Sequence, residues 1–574
     1  WGLGMPGSNE SAKGITYGSL EHLNINLGAG GNNYFIQGSH PTTTTVNAGF
    51  GPVNKVYVGS VSGAVRPVAD STINQIGGHL IINGQSPDSD LVIDNSGETD
   101  TRTGKLTATE FTHTSTLAES LITFSSFDKL EVWLGIGNDR LFVDGTPADA
   151  VTMIHGGNEV AVDNQTNDVI NISSIGGYTK VHGGTGNDVI RVNYNEGGLQ
   201  TNDNGISAAL DLHGGDGSDL YEIGLAGYGS SLIRVSDPDP GDIKPDPSPN
   251  RLKVYGTPRR DDFLFRPGVI AAIGLDDQGD QTGLAERINY DSTVSDITIY
   301  GGDEVDTFIL DDTNSPLTIY GEGGDDVFQV GQIFAGPRHP GDIPTGSDST
   351  DFEALLGLDS DDWFRTTLTT RGFLSNGNGE GNPTTIYGGI GNDNFTVYSN
   401  KADLFLYGEE DDDTFTVRAF VKVDPDDSKA PSTNINGGQG ADFISYTVNA
   451  PVNIEGGDGF DTLTVIGTEF GDDFVVTERG ILGAGLFVRY GGLEKVVIDA
   501  LEGNDTFFIQ STSESLAIEI VGGLGSDTFH VGGGNNGDAI TVVANDLLGH
   551  SGLVVNETSS SDERYQTIFA QDIS

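Results

Sequence analysis

Residues 387–397 read YGGIGNDNFTV. Three glycines and an Asn-Asp pair precede Phe395 and Val397, two apolar residues on alternate positions. Glycine tolerates positive φ, so the first half suits a tight corner. The alternation after Asp393 has the period of a strand with one buried face. Three readings follow: a turn between strands, a metal loop, and a glycosylation sequon at Asn394-Phe395-Thr396.

The stretch recurs. GGTGND (183–188), GGDGSD (214–219), GGIGND (388–393), GGQGAD (437–442), GGDGFD (456–461) and GGLGSD (522–527) all fit Gly-Gly-x-Gly-x-Asp. Looser copies are LGIGND (134–139), GGDEVD (301–306), GEGGDD (321–326), GEEDDD (408–413) and ALEGND (500–505). After each closing Asp the second and fourth residues are apolar, as in Phe328 and Val330 or Phe529 and Val531. Before each turn the alternation repeats, as in Ile297 and Ile299 or Leu404 and Leu406. Each unit is therefore strand, glycine-rich turn, strand. Near the N-terminus LGAGGNNYFIQG and VNAGFGPVNKVYVG are eroded relatives without the Asp.

The shortest intervals between closing aspartates are 20, 20, 19 and 22 residues. That is the length of one solenoid coil. A larger repeat relates VYGTPRRDDFLFRPGVIAAI (254–273) to VIGTEFGDDFVVTERGILGAG (465–485), with a more distant copy at LVIDNSGETDTRTGKLTATEF. These similarities give N-terminal eroded coils over 1–74 and superrepeats over 75–245, 250–430 and 431–574. Pro- and Asp-rich loops at 236–250 and 336–351 punctuate the chain. The expected fold is all-β, a parallel β-solenoid with glycine-rich turns. The alternative is a series of small antiparallel sandwiches, because strand-turn-strand also describes a hairpin.

Composition narrows the function. The 574 residues carry 84 Asp plus Glu against 28 Lys plus Arg, a net charge of −56. Binding to nucleic acid or to an anionic membrane is disfavoured. No apolar run of about 18 residues suggests a membrane helix. Cysteine is absent, so disulfides and thiolate chemistry are excluded. The 84 glycines are twice the usual share of roughly 7%. The opening Trp1, without Met or a signal peptide, reads as a mature product or an excised segment. Such an excess of acid calls for high salt, as on a halophile surface, or for bound cations.

Stacked coils would place equivalent aspartates about 4.8 Å apart. Two unit charges at that distance cost ~0.9 kcal/mol in water and about 3.5 kcal/mol at an effective dielectric of 20. A cation between turns reverses the sign. Calcium suits carboxylate and carbonyl oxygens in flexible geometry, whereas zinc would need His or Cys clusters.

Gly-Gly-x-Gly-x-Asp followed by x-apolar-x resembles the calcium-binding nonapeptide of RTX (hemolysin-type) repeat proteins. The resemblance implies secretion, a parallel β-roll and calcium-coupled folding outside the cell. Its side-chain ligand would be the sixth-position Asp, here Asp188, Asp219, Asp393, Asp442, Asp461 and Asp527. The looser turns add Asp139, Asp306, Asp325, Asp326, Asp412, Asp413 and Asp505. RTX arrays repeat every nine residues, whereas one motif appears here per 20 or more. The pairs 306/326, 393/413 and 442/461 are therefore the expected stacked partners, and Asp188 and Asp219 are expected only to close their turns. Most of the chain is also similar to the Gly/Asp/Thr-rich modules of giant bacterial surface exoproteins.

Sequons stand at Asn9, Asn164, Asn171, Asn394, Asn504 and Asn556. His155, His182 and His213 share a place beside turn glycines and are expected to form a surface row. No nucleophile elbow or zinc motif is present. The sequence reading is an extracellular, calcium-stiffened structural or adhesive protein of a cell surface or filament, not an enzyme. It would self-associate or continue in tandem, with a surface glycan or protein as ligand. The alternative is a carbohydrate-binding or carbohydrate-modifying β-helix.

Overall fold

A computed structural model describes residues 20–555, apart from 29, 31, 40, 51–53, 62–69, 85–88, 115–118, 158–165, 238–247, 277, 337–363, 365, 419–431, 448–451, 484–485, 512–514, 532–539 and 544–551. Most of the 336–351 loop and the sequons at Asn9, Asn164 and Asn556 lie outside the described residues. The chain divides into two units: residues 1–264, 268–300 and 344–362, and residues 265–267, 301–343 and 363–574. All regular structure among the described residues is β.

The pairing partner of each strand decides between solenoid and sandwiches. In the second unit, strand Thr384–Ile390 does not pair with Asn394–Val397, the strand across its own turn. It pairs in parallel with Leu404–Glu410, one coil later, and that strand with Thr433–Gly440 and then Val452–Gly459. The strands beyond the turns do the same: Val327–Val330, Asn394–Val397, Thr414–Val417, Phe443–Thr447 and Thr462–Ile466 form a second parallel ladder. Gly-Gly-x-Gly-x-Asp is thus a corner between two sheets and not a hairpin. The first unit repeats the plan, with Thr179–Thr185 on Leu210–Asp216 in one sheet and Val189–Val192 on Leu220–Gly224 in the other.

Period-two patterning fills the interior. Phe308, Phe328, Phe395 and Phe415 are fully buried and stack at 5.0, 4.7 and 4.6 Å between ring centroids. Phe474, Phe507 and Phe529 form a second such row. Each buried ring contributes about 1.5–3 kcal/mol from area alone.

Antiparallel pairing enters as insertions. Thr103–Leu106, Glu110–Thr114 and Glu119–Ser125 form a meander, as do Asp473–Thr477, Gly480–Gly483 and Leu486–Gly491. Val269–Leu275 and Gln281–Tyr290 form a hairpin. These are the stretches that the larger sequence repeat relates, so that repeat marks insertions into the coil. A small antiparallel sheet joins Ile333–Phe334, Gly372–Ser375 and Thr366–Thr369. Within the second unit the meander also moves the glycine corner. Through Asp461 the corner leads out of the sheet of Thr384–Ile390; at Asp472, Asp505 and Asp527 it leads back into that sheet.

Candidate functional site: an aspartate corner ladder

The closing aspartates all lie inside the corner. Every one expected from sequence as a sixth-position residue is at most 2% exposed. Each uses Oδ1 to accept the main-chain N–H of the equivalent residue one coil earlier. In the first unit the N–H groups of Asp139, Asp168, Asp188 and Asp219 donate to Asp168, Asp188, Asp219 and Asn250, at 2.6, 2.7, 2.8 and 2.8 Å. In the second, Asp306, Asp326, Asp393, Asp413, Asp442 and Asp461 donate to Asp326, Asp393, Asp413, Asp442, Asp461 and Glu494, at 2.7–2.9 Å. On the return corner Asp472 donates to Asp505, and Asp505 to Asp527. Asp188 and Asp219, expected only to close turns, are therefore stacked partners: a 31-residue interval still returns the chain to the same level.

The glycines follow from this arrangement. A Cβ on Gly388 would stand 2.0 Å from Asp393 Oδ2, and one on Gly408 would stand 1.9 Å from Asp413 Oδ2. The first glycine leaves room for the carboxylate. Gly389 and Gly391 have φ of 118° and 132°, a region that glycine alone occupies without strain.

A second row runs outside the first with opposite polarity. Asn392 N–H donates to Asp325 Oδ1, Asp412 N–H to Asn392 Oδ1, and Ala441 N–H to Asp412 Oδ1, at 2.8, 3.1 and 2.6 Å. Asn138, Asn167 and Asn187 do likewise in the first unit. Asp325 and Asp412, expected as ligands beside their neighbours, thus belong to this outer row. Their sequence neighbours Asp326 and Asp413 belong to the inner one.

Oδ2 of Asp168, Asp188, Asp326, Asp393, Asp413, Asp442, Asp461 and Asp505 is buried and has no hydrogen-bond partner. Burial, reinforced by neighbouring carboxylates, pushes the Asp168, Asp188, Asp393 and Asp413 carboxyls up to about 8, and burial pushes Asp326 up to about 7. Asp139, Asp442 and Asp505 rise to about 6, and Asp461 also rises, each mainly through burial. Among the causes of these shifts the one basic group is Arg102, beside Asp139.

A scan of protein-family models and a search of curated proteins found no match to this chain.

The sequence motif missed members whose glycines do not keep its spacing. The corner glycine of Asp168 is Gly156, where a Cβ would stand 2.8 Å from Asp168 Oδ2, but it lies 12 residues before the Asp instead of five, and only Ile170 and Ile172 mark the strand. Asp472, in GDDFVV, carried the same signal in Phe474 and Val476. Asn250 and Glu494 hold ladder positions with other oxygens, and Asn54 takes the Asp place in an eroded coil, where its amide donates to Gly49 O at 2.5 Å.

The histidine row exists but is not on the surface. Trp133, His155, His182 and His213 stack at 3.7, 5.0 and 5.0 Å, and the three imidazoles are only 5%, 8% and 4% exposed. In-register stacking explains the row, which strand periodicity alone cannot place inside a packed layer. Of the described sequons, Asn171 is buried while Asn394 and Asn504 are exposed.

Proposed function

We propose that this protein is an extracellular structural and adhesive β-solenoid whose corners are neutralised by calcium. The observation that supports it most is the row of buried Oδ2 atoms without partners. A solenoid that needs only its main-chain hydrogen bonds could use asparagine throughout, as it does at Asn250. Retaining carboxylates costs stability at neutral pH unless a cation is near.

The donor set fits a cation in part. The place beside Gly388 Cα is bordered by Asp393 Oδ2 and by Gly408 O of the next coil, and Gly408 is bordered likewise by Asp413 Oδ2 and Gly437 O. Two successive turns would thus offer two carboxylate oxygens and the carbonyls of Gly408 and Gly437, with waters completing a calcium shell. Among the described residues no three acidic or histidine side chains converge on one point. Carbonyls would therefore carry much of the coordination. The adhesive role covers tandem continuation or self-association and a surface ligand. Thermal melting in calcium and in EGTA tests the proposal. A lower melting temperature in EGTA, restored by calcium and not by magnesium, is the expected result; identical melts would sink it.

A further inference from the structure

Outside the corners, one row of side chains on the sheet of Thr384–Ile390 changes character along its length. Tyr320, Tyr387 and Tyr407 are in register, and their rings stack at 4.9 and 4.8 Å with planes 6° and 12° apart. A ring stacked on both sides, such as Tyr387, offers solvent only its edge and its hydroxyl. The row ends at Tyr407. The next two coils place Asn436 and then Glu455 in register. One face of Tyr407 therefore meets a short amide instead of another ring.

That step lies where two open cavities meet. One has a volume of 710 Å³, the other of 500 Å³, and both are lined by Tyr407 and Asn436. Each falls within the range of small-molecule sites, about 300–1,000 Å³. Beside the tyrosines runs a row that alternates acid and glycine, Glu322, Gly389, Glu409 and Gly438. Glu322 and Glu409 take φ of 77° and 84° at positions where their neighbours are glycine. Such conformations cost roughly 1–2 kcal/mol per residue, which a glycine would avoid. On the other flank Asn453 donates to Asn434 Oδ1 at 2.8 Å, a short ladder of amides.

We propose that this groove binds a neutral glycan chain running along the stack of coils, with one pyranose seated on the open face of Tyr407. The C–H face of a sugar ring packs on an aromatic face, and its hydroxyls require the mixture of acceptors and donors that Asn436, Glu409 and Glu455 provide. Coil spacing, about 4.8 Å, is close to the length of one sugar residue in an extended chain. Charge selects against the common alternatives. Among the described residues, Glu322, Glu409, Glu410 and Glu455 line the two cavities against one basic side chain, Arg489. A uronate, sialylated or phosphorylated chain is repelled. This inference rests on the adhesive part of the function proposed above and names its site and ligand class.

Isothermal titration with neutral hexasaccharides of glucose, mannose, galactose and N-acetylglucosamine, and with polygalacturonate as the anionic comparison, tests it. The expected result is binding of at least one neutral hexasaccharide, unaffected by added salt, and none of polygalacturonate. Tyr407→Ala should weaken that binding at least ~10-fold, the order expected for loss of a stacking ring. Asn436→Tyr extends the ring row over the open face, keeps the register chemistry of its neighbours, and should weaken binding as much without lowering the melting temperature. No heat with any neutral hexasaccharide at millimolar concentration, equal binding of polygalacturonate, wild-type binding by Asn436→Tyr, or displacement by oligolysine that salt abolishes would each overturn it. The last outcome would mark a basic polypeptide as the ligand. A calcium melt of the same sample reports separately on the structural role, so failure of one is not failure of the other.

Discussion

Replacing Asp188 by asparagine and by alanine separates the two jobs of a ladder residue. Asp188 Oδ1 accepts the Asp168 N–H at 2.7 Å, and Oδ2 is buried and unpartnered. Alanine loses both oxygens and leaves the Asp168 N–H unsatisfied, which costs about 1–3 kcal/mol before any cavity term. Asparagine keeps the acceptor. Its amide takes the place of Oδ2, beside the Gly183 Cβ position that Gly214 O of the next coil also borders. Burial holds the folded carboxyl at about 8, far above the unfolded value near 4. A carboxyl raised in this way favours the fold fully below the unfolded value and loses that contribution as pH rises to about 8. At pH 7 the unfolded carboxyl is ionised while the folded one is still largely protonated, so relative to acid pH the fold loses up to about 4 kcal/mol from an isolated group. Without calcium, Asp188→Asn should melt several degrees above the wild type at pH 8 and level with it at pH 4. With calcium the wild type should recover and the variant should not respond at that corner. Circular dichroism melts between pH 4 and 9, with EGTA and with calcium, provide the measurement. If Asp188→Asn destabilises as much as Asp188→Ala at every pH, the carboxylate is not a liability and the reasoning fails.

Three further outcomes are open to measurement. Gly388→Ala should cost several kcal/mol, since its Cβ would meet Asp393 Oδ2 at 2.0 Å, whereas Gly323→Ala, with open space around it and no positive φ, should be near neutral; urea unfolding compares the two. Phe395→Ala removes the middle of a buried ring stack and should cost about 3–5 kcal/mol, read as a lower urea midpoint. Glu409→Gly relieves a left-handed glutamate and should stabilise by about 1 kcal/mol while weakening glycan binding, a trade that melting and titration together would reveal. A gain in both would remove Glu409 from the groove.

Much of this structure can be read from local pattern, and the limits of that reading are physical. Phe395 and Val397 announce a buried strand face because side chains alternate. The interval of 20 residues from Asp393 to Asp413 announces a coil. Whether GGIGND is a hairpin or a corner depends on which strand pairs with Thr384–Ile390, and that partner lies a full coil away. Asp168 escaped the motif because its corner glycine, Gly156, lies 12 residues before it instead of five, though its oxygen performs the same task. The Asn at 392 was visible as a residue, but its bonds to Asp325 and Asp412 exist only once coils are stacked. Burial of the histidine row is likewise a property of packing outside the strand and not of alternation along it.

The inner ladder ignores what happens between its members. Asp326 and Asp393 are bonded at 2.7 Å although 67 positions separate them, against 20 for Asp393 and Asp413. Closing the longer excursion costs only about 1 kcal/mol more by chain entropy. The coil is accordingly a unit of inheritance. Whole turns can be duplicated or deleted, and foreign loops spliced between them, while the thread of amides and carboxylates stays continuous. Such a chain can change what it displays without renegotiating how it folds.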